Sequence, residues 1–144
     1  MNIITNSKIL LFLPVHQQMA LRGYQKEEFD ATIETITKLV NAVPDSDAPD
    51  FVDESGGIAY LHYFYAGCDW WIKDYSTHDR CFFGYAVING DTEMAEYGYM
   101  DMDELLNDGR IELDFYWTPK NIVEAVNERY PNQLKSDTDE DNAG

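Results

Sequence analysis

Between residues 27 and 42 the apolar side chains Phe29, Ile33, Ile36 and Val40 recur at i, i+4, i+7 and i+11, the spacing of one face of an α-helix. Glu28, Asp30, Glu34 and Lys38 fall off that stripe, so the segment predicts an amphipathic helix with one buried face. Ahead of it, residues 6–23 predict a short element ending near Pro14, then a helical turn through Gln17 and Leu21 closed by Gly23. The middle of the chain changes period. Residues 58–65 (IAYLHYFY), 69–75 (DWWIKDY) and 81–88 (CFFGYAVI) are aromatic and β-branched runs, parted by Ala66-Gly67 and by STHDR at 76–80. They predict three strands of an antiparallel meander. Residues 94–100 (MAEYGYM) predict a fourth strand, 101–106 a short helix, and 111–117 (IELDFYW) a fifth strand by alternation. That alternation puts Glu112, Asp114 and Tyr116 on one face and Ile111, Leu113, Phe115 and Trp117 on the other. A last helix over 119–130 has Pro119 near its first turn and a stripe of Ile122, Val123, Val126 and Tyr130. This order of elements describes an α+β domain, a twisted antiparallel sheet of about five strands with helices packed on one face.

At 144 residues and 44% hydrophobic, the chain has enough apolar material for one core, and residues 1–135 are expected to form a single acidic domain. Residues 43–57 (VPDSDAPDFVDESGG) hold two prolines, two glycines, five acids and no base, the composition of a long solvated loop. Residues 136–144 (SDTDEDNAG) hold four acids and no large apolar side chain, and are expected to be a disordered tail. Acidic residues number 27 against 10 basic, a formal net charge of −17. Such a charge repels polyphosphates and anionic lipids, so neither direct nucleic-acid binding nor membrane binding is expected. The longest apolar run, residues 9–13, is too short for a membrane span or a secretory signal. An intracellular protein is expected, with Cys68 and Cys81 reduced.

Catalytic signatures are absent. His62, Cys68, His78 and Cys81 are spaced H-x5-C-x9-H-x2-C, which matches no paired zinc knuckle, so ordinary strand and turn residues are expected there. Cys81 and His78 lie three apart, but Asp79 and Asp74 nearby oppose the electropositive surroundings that a reactive thiolate needs. Carboxylate pairs such as Glu112 and Asp114 are unavoidable among 27 acids and carry little information. No calcium loop, phosphate-binding glycine motif or nucleophile elbow occurs, and no cofactor is expected. An enzyme, metal-dependent or hydrolytic, remains the alternative if His62, His78 and nearby carboxylates converge in one pocket. The third reading is an acidic accessory domain without a tight partner.

The distribution of charge is more telling. Residues 91–114 contain nine acids, Asp91, Glu93, Glu96, Asp101, Asp103, Glu104, Asp108, Glu112 and Asp114, against the single base Arg110. Residues 45–54 add five acids and no base. Duplex DNA carries one charge per about 1.7 Å of axis, so carboxylates at this density on one side of a small domain imitate the field of a short duplex. Aromatics left outside the core, with Trp70, Trp71 and Tyr99 as candidates, would anchor a protein partner within that acidic rim. Two uncovered sheet edges also offer a route to homodimerisation.

The segment 58–119 resembles the DUF2958 family of small bacterial, plasmid and phage proteins of unknown function. The likeness lies in YLHYFY, DWWIKDY, FFGYAVI, the stretch EYGYMDMDEL at 96–105, and IELDFYW. It covers a little under half of the chain, and EYGYMDMDEL is its most specific part. The family pattern has a basic residue between the two acids of the last strand, where this chain has Leu113, and the acidic segment before Ile58 is unlike a typical member. The resemblance carries no catalytic residues. It implies a phage or mobile-element setting, in which small acidic proteins act against host defence. The expected function is therefore a non-enzymatic binding protein in the bacterial cytoplasm. By DNA mimicry it would inhibit a basic nucleic-acid-binding host protein, such as a nuclease, a restriction complex or a CRISPR complex.

Overall fold

The computed structural model describes residues 7–22, 26–53 and 57–135. Three helices lead, α1 (Ser7–Phe12), α2 (Val15–Arg22) and α3 (Lys26–Asn41), followed by β1 (Ile58–Ala59), β2 (Leu61–Tyr65), β3 (Cys68–Ser76) and β4 (Cys81–Val87). The chain continues through β5 (Glu96–Asp101), α4 (Met102–Asn107), β6 (Glu112–Leu113), β7 (Lys120–Asn121) and α5 (Ile122–Arg129). The five main strands form one antiparallel sheet in the order β5-β4-β3-β2-β6, while β1 and β7 pair separately. Ala66 and Gly67, at φ of 36° and 90°, make the two-residue turn that joins β2 to β3. Positive φ at both positions gives a turn whose twist matches the flanking strands.

The expected α+β class with a five-stranded antiparallel sheet is observed, but helices cover both faces. On the first face Ile9, Phe12, Leu13, Ile36, Val40, Met102 and Leu105 bury against Leu61, Tyr63, Ile72 and Phe82. Tyr63, fully buried, donates its hydroxyl to the Phe12 carbonyl. On the second face Trp71, Tyr85 and Val87 pack with Ala59 and with Ile122, Ala125 and Val126 of α5. The physical reason lies in β3, where the neighbours Trp71 and Ile72 are both buried. A strand that is apolar on both sides needs cover on both sides.

Four further expectations change. The run 58–65 divides at Tyr60, whose N–H donates to the Ile72 carbonyl at 2.8 Å while β1 pairs with β7. The run 111–117 pairs only over β6, because the Asp114 carboxylate accepts the Tyr116 N–H at 2.9 Å and turns the chain. Trp117 therefore leaves the face of Ile111 and Leu113 and joins the second core, its indole donating to the Ala59 carbonyl at 3.0 Å. Pro119 precedes β7 instead of opening the last helix, which Asn121 caps by accepting the Val123 and Glu124 N–H groups. Residues 43–53 are not a loosely solvated loop, since Pro44 and Ser46 exchange backbone hydrogen bonds with Tyr75 and the Asp47 carboxylate accepts from Ser76 and His78. Along α3, Ile36 and Val40 are buried and Ile33 partly so. The Phe29 side chain, Gly23, residues 54–56 and the tail 136–144 lie outside the described residues.

Candidate functional site

The expected acidic face separates into two sheet edges. Strands β5 and β6 are the outermost, and four inter-strand spacings set them about 19 Å apart. Of the nine acids, Asp91, Glu93 and Glu96 stand at the start of β5, and Asp101, Asp103 and Glu104 at its end, all exposed. Asp108, Glu112 and Asp114 belong to the opposite edge. Short-range chemistry explains the β5 group locally. Asp101 ends the strand and caps α4 by accepting the Glu104 N–H at 3.0 Å. The Asp91 carboxylate accepts the Met94 N–H at 3.2 Å and shapes the turn into β5.

Between the two acid triplets, Tyr97 and Tyr99 stand on one side of β5, with Gly98 between them. Tyr99 is 79% exposed and meets the Phe83 ring edge-on at 5.1 Å, while Tyr97 meets Tyr85 at 4.9 Å. Lys73 places its Nζ 5.9 Å from the Tyr97 ring centre, within cation–π range. Among the described residues β4 is the only strand that pairs with β5. The outer backbone edge of β5 is therefore open among the described residues, and the aromatic pair stands beside it on the sheet face that carries Phe83 and Tyr85. Tyr97 was legible only as the i−2 partner of Tyr99 on an alternating strand.

Some of the expected site residues are already engaged. Arg80 grips Asp103 with two bonds of 3.1 and 2.6 Å, and this pairing holds the Asp103 carboxyl below its ordinary range. Arg110 does the same for Asp108, with bonds of 3.0 and 2.9 Å, and lowers it likewise. Trp71 is 1% exposed, and Trp70 is partly buried against the first core, so Trp71 is no anchor and Trp70 a poor one. Among the described residues the most exposed aromatic is Tyr116, at the turn on the opposite edge.

A polar cluster occupies the second face beside α5. His62 on β2 directs Nε2 to Asp69 at 2.8 Å and Nδ1 to Asp114 at 3.5 Å. Its ring stacks on Trp71 and Phe64 and tilts against Trp117. Asp69, 3% exposed, also takes Arg129 at 3.4 Å and the Tyr130 hydroxyl at 3.2 Å. Burial raises the Asp69 carboxyl, but the His62 hydrogen bond and charge, with Arg129 and Tyr130, outweigh it and leave the group below its ordinary value. Both imidazole nitrogens face carboxylates, so the ring serves as a clasp between β2, β3, the 114–117 turn and α5. Sequence spacing gave no sign of the Asp69, Arg129 and Tyr130 contacts, which join residues 60 and 61 apart.

His78 does not join this cluster. It sits exposed in the β3–β4 turn, while His62 pairs across from Trp71, and the run from Trp71 to Ser76 is roughly 17 Å of strand. Cys68 and Cys81 lie at opposite ends of the β3–β4 ladder, and both are free. Burial, then Asp79, Asp74, Asp47 and Asp101, push the Cys81 thiol up, in line with the field expected from the sequence. Among the described residues no group of three or more His, Cys, Asp or Glu converges on a metal site, and no helix is long and apolar enough to cross a membrane. No family model, no curated protein and no solved structure matches the chain. The resemblance to DUF2958 therefore rests on the motifs quoted above.

Proposed function

We propose that this chain is a non-enzymatic binding protein that presents the β5 edge to the nucleic-acid groove of a basic partner. The observation that carries this reading is the anatomy of that edge: an outward-facing tyrosine pair flanked at each end by three exposed acids. An aromatic centre within a charged rim is the arrangement expected of a protein-binding patch. The strand is about 17 Å long, the length spanned by roughly five phosphates of one duplex strand; Glu96 and Asp101 lie on it, Asp91 and Glu93 in the turn before it, and Asp103 and Glu104 on α4 after it. Arg80 is the one base ion-paired to these six among the described residues.

The partner class follows from charge. A net charge of −17 disfavours nucleic acid itself and favours proteins that bind it. The resemblance to DUF2958 supports a phage or mobile-element setting in the bacterial cytoplasm, with a defence nuclease, restriction complex or CRISPR complex as the partner. The acids of the opposite edge are outside this interface, so Asp108, Glu112 and Asp114 are assigned no role in it.

The test is capture of partners from host lysate by the tagged chain at 50 and 300 mM salt, beside the triple variant Asp101→Asn, Asp103→Asn, Glu104→Gln. Asn retains the helix cap at position 101, so the variant changes charge and leaves α4 in place. A basic nucleic-acid-binding protein held by the natural chain and lost from the variant supports the reading. Equal recovery by both removes the β5 edge from the account.

A further inference from the structure

Residues 44–53 fold back over β3 and leave a cleft of about 440 Å³ against β1 and β3. Its walls combine apolar surface, from Pro44, Phe51 and Tyr60, with the carboxylates of Asp45, Asp50, Asp53 and Asp74 and the single base Lys73. Asp50 and Asp53 are exposed and by themselves imply nothing beyond a solvated loop. Asp74 is different. It is 7% exposed, yet among the described residues no donor hydrogen-bonds or ion-pairs with its carboxylate. The neighbouring Lys73 acts on it through charge alone and places its Nζ over the rings of Phe83 and Tyr97, at 5.7 and 5.9 Å.

Buried carboxylates in folded proteins are nearly always paired, because an unpaired one gives up its hydration without return. The other buried acid among the described residues obeys the rule, since Asp69 has three partners. Burial, with Asp53 nearby and Lys73 opposing, raises the Asp74 carboxyl to about 6. A buried carboxylate without a hydrogen-bonding partner among the described residues and a cleft leading to it together describe a receptor for a cation.

The composition of the cleft selects the kind of cation. Calcium and magnesium need several oxygens converging on one point, and no such convergence exists among the described residues. A single positive head on an apolar stem suits one buried carboxylate with aromatic walls. We infer that this cleft binds an organic cation, an alkylammonium or alkylguanidinium group, whose head pairs with Asp74 and whose stem lies against Phe51 and Tyr60. Such a group occurs both in free polyamines and in the side chains of lysine and arginine. The outer acids, Asp50 and Asp53, draw it in and make the interaction salt-dependent.

The test is calorimetric and NMR titration of the full chain at pH 7.5 with agmatine, with the peptide acetyl-Gly-Arg-Gly-amide, and with 1-pentanol as the neutral control. Agmatine is expected to bind with a Kd on the order of 1 mM or tighter, and Asp74→Asn to weaken it about tenfold or more. Tighter binding of the peptide would identify a protein side chain as the occupant, and tighter binding of agmatine a free polyamine. Binding of 1-pentanol as strong as that of agmatine overturns the inference, as does unchanged affinity in a folded Asp74→Asn variant. Should that variant not fold, the Asp74 carboxyl and Tyr60 ring resonances of the natural chain decide, since they must shift together as agmatine is added. No macromolecular partner enters this experiment, so its outcome is independent of the β5 interface.

Discussion

Replacing Asp74 with Asn gives a stability change whose size and sign follow from the structure. The carboxyl titrates at about 6 in the folded chain against an ordinary 3.8. The folded state thus holds this proton more tightly than the unfolded state, and stability from this group falls as pH rises from 3.8 through 6. Two pKa units at 1.36 kcal/mol each make the full penalty about 3 kcal/mol, present at pH 8. At pH 4.5 the same linkage leaves about 1 kcal/mol. Asn is neutral throughout, and the cost of its own unpaired amide does not vary with pH. The diagnostic is therefore the difference, a relative gain of about 2 kcal/mol for Asp74→Asn between pH 4.5 and pH 8. In a domain of this size that is roughly 6 °C in Tm. Urea denaturation of both proteins at the two pH values, without added amines, measures it. A variant whose stability relative to the natural chain is the same at both pH values would refute the reasoning, because Asp74 would then have an ordinary pKa and no buried charge to relieve.

Asp69→Asn should behave oppositely. Its carboxyl is lowered by its three partners, so the stability it contributes is present above the unfolded value and lost as pH falls through the folded one. The variant should lose about 2 to 4 kcal/mol at pH 7 and converge with the natural chain in strongly acid urea titrations. Gly84→Ala places a Cβ 1.8 Å from the Trp71 carbonyl oxygen and 2.8 Å from its carbon, a backbone clash at the centre of the sheet. A loss of about 3 kcal/mol or more, or failure to fold, is expected from thermal melts. Tyr99→Ser removes a side chain that is 79% exposed, so its Tm should shift by no more than about 2 °C while capture of the basic partner falls at least severalfold.

Much of the scaffold was legible in local pattern. The stripe from Ile33 to Val40, the turn at Ala66-Gly67 and the short helix that follows β5 all arise within a few residues, and each is found within a residue of where its spacing placed it. What escaped depends on long-range partners. Nothing near Tyr60 announces that its N–H will go to Ile72 and break one expected strand into two. Alternation separates Trp70 from Trp71, but it cannot say that α5 covers the second face and buries Trp71 more deeply than Trp70. The acids show the same limit. Composition made residues 91–114 a single charged segment, whereas the strand order sends its two ends to opposite edges of the sheet. Nothing in the sequence separates Asp69 from Asp74, yet burial makes one the anchor of a clasp and leaves the other without a hydrogen-bonding partner among the described residues.

The central claim is that the β5 edge stands in for nucleic acid, and competition tests it most directly. With the captured partner purified, its affinity for the chain would be measured in physiological salt while a 20-base-pair duplex is titrated in, and again with Tyr99→Ser combined with the triple acid variant. The account predicts that duplex displaces the chain stoichiometrically and that the combined variant binds at least about a hundredfold more weakly. A complex that accommodates duplex and chain together, or that tolerates the combined variant, would contradict it.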